Sequence, residues 1–342
     1  MIIKRRKFFR VAALAASGLG SSACSGSLGS ELPEGSRSFN DALTRLRKLP
    51  GYSVHAISVE SPKNEALLRI DHMSDRPLVI GSAFKTFIVT KCLQDIEEER
   101  LSLTQLIAID DRIRVDASNV FIDLTGRVRL KSVLNAISGE SDNTAADAVM
   151  SKVGPDRVRA FIASAGLTST RIPDSLRIFQ SYASGAPLNT DIGWEGIKKI
   201  LQGNFPGTPR PILNNQVSIM STASELVSYY QRVMRGEFFR LPATVTEFKR
   251  LHALGNALAS DLPETPIYAK AGNASWLGYN LFTFAGQMIL NNGNKVTFAF
   301  VINWDGPDTS VPAVFAEFKS AIADAFVALK LMYGSTSATA CA

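Results

Sequence analysis

A chain of 342 residues, 46% hydrophobic and 20% charged, can bury one large core or two closely packed ones, which excludes collagen, coiled coil and wholesale disorder. The formal charge of +6 overstates its basicity: Lys4, Arg5, Arg6, Lys7 and Arg10 all precede the first acid, Glu31, and the remaining body is nearly neutral. No Lys/Arg stripe with interleaved aromatics follows, so no nucleic-acid partner is expected.

The chain opens on MIIKRRKFFRVAALAASGLGSSAC, with a basic head, a short apolar stretch from Val11 to Leu19 and small residues before Cys24. That pattern predicts an export segment over 1–23, too short and too rich in Gly and Ser to stay in a bilayer. Arg5-Arg6 ahead of Phe8-Phe9 resembles a bacterial twin-arginine signal, with Lys4 where Ser or Thr is usual. Ser21-Ser22-Ala23-Cys24 resembles a lipoprotein cleavage box with Ser21 in place of leucine; a plain signal-peptidase site ending at Ala23 is the alternative. Both lead to the periplasm, and the first adds membrane attachment through a lipidated Cys24. Residues 24–38, rich in Ser, Gly, Pro and Glu, read as a tether, and 334–342 as a low-complexity tail. Between them, 39–333 is expected to fold as one monomeric domain.

The body begins with a helix over FNDALTRLRKL, followed by a hairpin of YSVHAISVE and ALLRID. From Ser82 to about Glu99, Phe84, Phe87, Ile88, Cys92, Leu93 and Ile96 recur at helical spacing. Further helices are predicted at Leu130–Ile137, Thr144–Lys152, Pro155–Ala165 and Ser224–Arg235, the last with a Thr222/Glu225 capping box and a closing Gly236. The period then changes to strands: IYAKAGN, YNLFTFAGQMIL and KVTFAFVINW, with Asn292-Gly293 turning between the last two. KVTFAFVINW is apolar on both alternations, as a central strand covered on both faces would be. A final helix carries Val311, Phe315, Phe318, Ile322, Phe326, Leu329 and Tyr333 on one stripe. Strands, helices, strands and a helix in that order predict an α+β fold. Its antiparallel sheet would be built from the N- and C-terminal segments, with a helical subdomain inserted at about 105–240.

Three short stretches could carry chemistry. Ser82 and Lys85, in IGSAFKTFIV, stand at i and i+3 on one helix face, where a lysine of lowered pKa could take the serine's proton. About one such S-x-x-K is expected by chance in a chain this long, and the pair reads equally as a helix cap and a solvated lysine. Ser141-Asp142-Asn143 precedes a helix, where capping alone would favour the same residues. Lys270-Ala271-Gly272-Asn273 ends a strand, where an edge lysine and a turn are the plain alternative. The cysteines Cys24, Cys92 and Cys341 form no C-x-x-C, and His55, His72 and His252 lack ligand spacing, so neither a metal nor another cofactor is expected.

In this order, the three stretches resemble the signature set of the class A β-lactamases and penicillin-binding proteins. The resemblance runs from about Phe39 to Tyr333. It implies a β-lactamase/transpeptidase-like fold, with Ser82 as the acylated nucleophile and Lys85 as its activating partner. Ser141 would relay a proton to the leaving nitrogen, and Asn143 would position the substrate amide and hold Lys85. Lys270 would attract the substrate carboxylate beside Gly272, and the amides of Ser82 and Asn273 would form an oxyanion hole. Asp142 would be structural. The substrate implied is a small molecule, a β-lactam or a peptidoglycan peptide.

Two departures stand out. Ala271 replaces the usual Ser or Thr, unless Asn273 or Ser275 supplies the hydrogen bond. The deacylating E-x-x-L-N run is absent from the long stretch 170–215, where Glu195 in GWEGI is the candidate base, ahead of Asp174 and Asp191. The leading expectation is an exported serine β-lactamase. A D-alanyl-D-alanine carboxypeptidase or related amidase or esterase is the alternative, and a non-hydrolytic penicillin-binding sensor the third.

Overall fold

The computed structural model describes residues 35–254 and 265–334; the expected export segment, the cleavage site at Cys24 and nearly all of the tether and tail lie outside these residues. The first helix, α1 (Ser36–Arg47), starts three residues ahead of its expected first residue, Phe39. The hairpin β1 (Tyr52–Glu60) and β2 (Ala66–His72) follows, then a two-residue strand β3 (Leu78–Val79). A 3-10 turn, Gly81–Phe84, leads into α2 (Lys85–Glu97), so Ser82 sits on a tight turn rather than inside the α-helix. The middle of the chain holds the small hairpin β4 (Leu106–Ile109) and β5 (Gly126–Arg129), then α3 (Leu130–Gly139), α4 (Asn143–Val153) and α5 (Pro155–Ser164). Two short helices, α6 (Leu176–Ala183) and α7 (Gly193–Leu201), lie within the stretch the sequence presents as a long loop. The strand β6 (Met220–Ser221), α8 (Ala223–Met234) and α9 (Pro242–His252) complete this region. The chain closes with β7 (Ile267–Trp276), β8 (Tyr279–Ile289), β9 (Lys295–Asp305) and α10 (Val311–Tyr333).

The sheet runs β2-β1-β9-β8-β7, antiparallel throughout, which is the α+β arrangement expected from the sequence. β9 lies at its centre, and its double-sided apolar pattern follows directly. Phe298, Phe300, Ile302 and Trp304 pack under α1 and α10, while Ala299 and Val301 face α8 and the helical region. With Thr297, Asn303 is one of two buried polar residues on β9. Its amide donates to Val79 O at 2.9 Å and accepts from Val79 N at 2.8 Å, which fastens β3, and the turn after it, to the sheet.

The Thr222/Glu225 pair does only half of what the sequence predicts. Thr222 Oγ1 accepts from Glu225 N at 3.1 Å, but the Glu225 carboxylate turns to Ser169 N and Thr170 Oγ1, each at 2.6 Å. It thus clamps the segment after α5 instead of closing the box.

His55 is fully buried on β1, with ring centroids 5.2 Å from His72 and 6.3 Å from Phe300. Neither ring nitrogen has a hydrogen-bond partner among the described residues. Burial, then the charge of His72, pushes its pKa down to about 3. A depressed histidine pKa means that the unfolded chain takes up the proton first, so this contribution is intact above about 6.5 and is lost as pH falls. His55→Leu is therefore expected to gain on the wild type by about 1.4 kcal/mol per pH unit below about 6.5. Urea unfolding at pH 7.5, about 6 and about 5 reads this; a pH-independent difference contradicts it.

Candidate active site

The nucleophile turn is held from three sides. Ile80 N donates to Ile219 O at 3.0 Å, Asn303 holds the preceding β3, and β7, the edge strand, crosses in front. The crossing is close enough to require glycine: a Cβ on Gly272 would lie 2.2 Å from Ile80 O and 2.9 Å from both Ser82 N and Ala83 N. Gly81 takes φ +49°, and a Cβ on it would stand 3.2 Å from Asn273 N. The amides of Ser82 and Asn273 are thus brought to one place, beside a partly exposed Ser82.

Behind the turn, α2 carries Lys85 into full burial. Its ammonium donates to Asn143 Oδ1 at 2.6 Å, to the Ser141 carbonyl, and to Ser141 Oγ at 3.4 Å. Among the described residues it makes no hydrogen bond to Ser82, a looseness common in unliganded sites. Ser141 adopts φ +55°, a left-handed conformation costly for a residue with a Cβ, and its carbonyl is one of the acceptors of Lys85. Asp142 N donates to Ala136 O at 3.1 Å, and the Asp142 carboxylate caps α4 through Ala145 N at 2.8 Å. Its other oxygen takes Val120 N and Phe121 N at 2.8 and 3.1 Å. Asp142 is a brace for the loop and the start of α4.

Lys270 reaches the same serine from β7, donating to Ser141 Oγ at 2.9 Å and to Ala271 O at 3.2 Å. Two buried ammonium groups on one hydroxyl disfavour each other. Burial, followed by the Lys270 charge, drives the Lys85 pKa well below its ordinary value, while Asp142 and Asp147 pull it back. Burial lowers Lys270 to about 8. The arrangement therefore offers a lysine able to be neutral, a second cation, and a hydroxyl that can pass a proton between them.

Asp147 is a residue that the sequence reading missed. It lies four positions after Asn143 on the same face of α4, and its oxygens accept from Leu176 N at 2.7 Å and Arg177 N at 3.1 Å. It ties the start of α6 to the helix that holds Lys85, and burial raises its pKa to about 7. The i+4 spacing within SDNTAAD was the available signal.

Glu195 is not brought into this cluster. It stands in the first turn of α7, three-quarters exposed, and pairs with Lys198 at 2.5 Å. Asp174 pairs with Arg159 at 2.7 Å, and Asp191 holds Arg177 through contacts of 2.8 and 3.0 Å. Ser275, a proposed substitute for the hydroxyl missing at Ala271, is engaged by Asn280, whereas Asn273 is exposed. Among the described residues, no group of three His, Cys, Asp or Glu side chains is placed to hold a metal, and no helix is long and apolar enough to cross a membrane.

A family model described as "Beta-lactamase enzyme family" matches residues 39–316. The chain belongs to the beta-lactamase enzyme family. No curated protein matches by sequence. Among solved structures, the fold is similar to the chromosome-encoded beta-lactamase of Vibrio parahaemolyticus: 21% identity, 87% of this chain and 100% of that chain covered, TM-score 0.61. It is similar also to a beta-lactamase from Chitinophaga pinensis, at 16% identity, with 85% and 99% of the two chains covered and a TM-score of 0.64. A third similar structure is PBP-A, at 15% identity, 85% and 96% coverage and a TM-score of 0.61. At these identities the solved structures speak for the fold, and this member's own activity has to be argued from its residues.

Proposed function

We propose that this protein is an acyl-serine hydrolase that opens a β-lactam through Ser82 and releases the product slowly. The observation that carries the reading is the convergence of Lys85 and Lys270 on Ser141 Oγ, directly behind the Ser82 turn. Neutral Lys85 takes the Ser82 proton as Oγ attacks the lactam carbonyl carbon. The oxyanion that forms is met by the amides of Ser82 and Asn273. As the C–N bond breaks, Ser141 gives its proton to the ring nitrogen and is resupplied by the lysines. Lys270 attracts the substrate carboxylate, and Asn143 orients the substrate amide while holding Lys85.

Slow release follows from the carboxylates. Both oxygens of Asp142 and of Asp147 are committed to backbone N–H groups, and Glu195 is paired at the surface. None of these three is left to activate a water, and the unbonded Oδ2 of Asp116 is closed to solvent. Intact-mass spectrometry after adding benzylpenicillin should find one adduct that persists for minutes or longer, and none on Ser82→Ala. Rapid nitrocefin turnover without an adduct would overturn slow release. Glu195→Gln is expected to leave nitrocefin turnover and adduct lifetime within about twofold of the wild type; a tenfold change would reinstate Glu195 as the base.

The same committed carboxylates favour a second reading, in which an amine or a poorly activated water takes the acyl group of a D-alanyl-D-alanine peptide. D-alanine release from a muropeptide would establish it. In either case we place the mature protein outside the cytoplasm, as a monomer, delivered by segment 1–23 and attached through Cys24 if that residue is lipidated.

A further inference from the structure

The residue after Lys85 on α2 is Thr86, and its hydroxyl is the meeting point of three helices. It lies 2.8 Å from Tyr229 Oη of α8 and 2.9 Å from His252 Nε2 of α9. Thr90, one turn along α2, lies 2.6 Å from the same Tyr229 Oη. All four side chains are buried. One carbonyl fixes where their protons sit. His252 Nδ1 is 2.9 Å from Phe248 O, which can only accept, so Nδ1 carries the hydrogen. Burial pushes the His252 pKa down to about 3, against the pull of the Phe248 bond and with the help of the Lys270 charge. The ring is therefore neutral, Nε2 holds a lone pair, and the Thr86 hydroxyl donates to it. With its one hydrogen spent, Thr86 Oγ1 accepts from Tyr229 Oη, which also reaches Thr86 O at 3.2 Å, and Tyr229 Oη accepts from Thr90.

This direction matters because of where Thr86 stands. A helical threonine hydroxyl with no other acceptor bonds back to the carbonyl four residues earlier and bends the helix. For Thr86 that carbonyl belongs to Ser82. Tyr229 Oη is a poorer alternative, since it already accepts from Thr90 and gives its own hydrogen to Thr86. We propose that His252 is a positioning residue for the nucleophile turn: by accepting from Thr86 it keeps that hydroxyl off the Ser82 carbonyl and holds the start of α2, with Lys85 on it, in the geometry that acylation needs. This rests on the acyl-serine reading above. α9 packs against both α2 and β7, so the helix that ends in His252 also braces the strand that carries Lys270.

The test follows acylation of Ser82 by benzylpenicillin over a range of concentrations, by intact-mass spectrometry. His252→Phe keeps a ring stacked on Phe248, where the centroids lie 3.8 Å apart, and removes the acceptor. It is expected to lower the acylation rate at saturation about tenfold and to leave the half-saturating concentration within about twofold, because the groups that bind substrate are untouched. His252→Gln, whose amide oxygen can again accept, should recover most of the rate. Adding Thr86→Val to His252→Phe removes the freed hydroxyl and should recover rate as well, whereas a loss of packing alone would be made worse. A wild-type rate in His252→Phe, or a double variant no faster than it, overturns the proposal. Thermal unfolding checks each variant, and His252→Leu, which also lacks an acceptor, serves if His252→Phe does not fold. Failure of the wild type to acylate would overturn the acyl-serine reading instead. The positioning role is then read by NMR from the amides of residues 81–85, which should shift in His252→Phe and return in the double variant. Amides that do not move overturn it.

Discussion

Gly272→Ala is expected to cut acylation of Ser82 by a β-lactam about a hundredfold or more, the scale set by displacing reacting groups by about an ångström. The added methyl would start 2.2 Å from Ile80 O and 2.9 Å from the amides of Ser82 and Ala83. All three contacts are with backbone, so no rotamer relieves them. β7 must back away from the turn, or the turn must move with Ser82 on it. Either shift separates the amides of Ser82 and Asn273 and pulls Lys270 from Ser141. Stability should fall by about 1–3 kcal/mol, the usual result of overpacking. Gly139→Ala is the control, since its methyl would meet only Leu254 Cβ, at 3.8 Å. The measurement is the second-order rate of adduct formation by mass spectrometry, beside urea unfolding for both variants. A Gly272→Ala protein that acylates at the wild-type rate would mean that β7 does not set the geometry of the nucleophile.

The sequence revealed the sheet more readily than the site, for physical reasons that differ by element. Eleven-residue strands such as β8 and β9 carry enough alternations for their period to register, and Asn292-Gly293 marks the turn between them, with Gly293 at φ +83°. The helices α6 and α7 have only eight and nine residues, about two turns each, a shorter window than a helical period needs to register. At the site, the three motifs identified the residue types and their order. What they could not convey was contact at the level of single atoms. That Ser141 is left-handed and that its hydroxyl meets two lysines depend on how α2, α4 and β7 meet. Glu195 illustrates the opposite limit. A tryptophan before an acid suggested a base, but the glycines on either side and Lys198 one turn later belong to a short surface helix.

Lys270→Met is expected to change both the height and the position of the pH profile for acylation, and the two changes have separate causes. The height falls about 10- to 100-fold, because the cation that meets the substrate carboxylate is gone. The position follows from Lys85. Acylation needs Lys85 neutral, so the rate rises with pH through its pKa. Lys270 is the strongest charge holding that pKa down, second only to burial. Without it the ammonium form of Lys85 is favoured, and the rising limb should move to higher pH. The wild type should also lose rate above about 8, where Lys270 itself deprotonates, and this falling limb should vanish in the variant. Asp147→Asn supplies the opposite sign: removing a carboxylate that raises the Lys85 pKa should move the rising limb to lower pH. Opposed shifts of the same limb in the two variants would identify it as the titration of Lys85. Shifts in the same direction, or none, would mean that the proton of Ser82 leaves by another route.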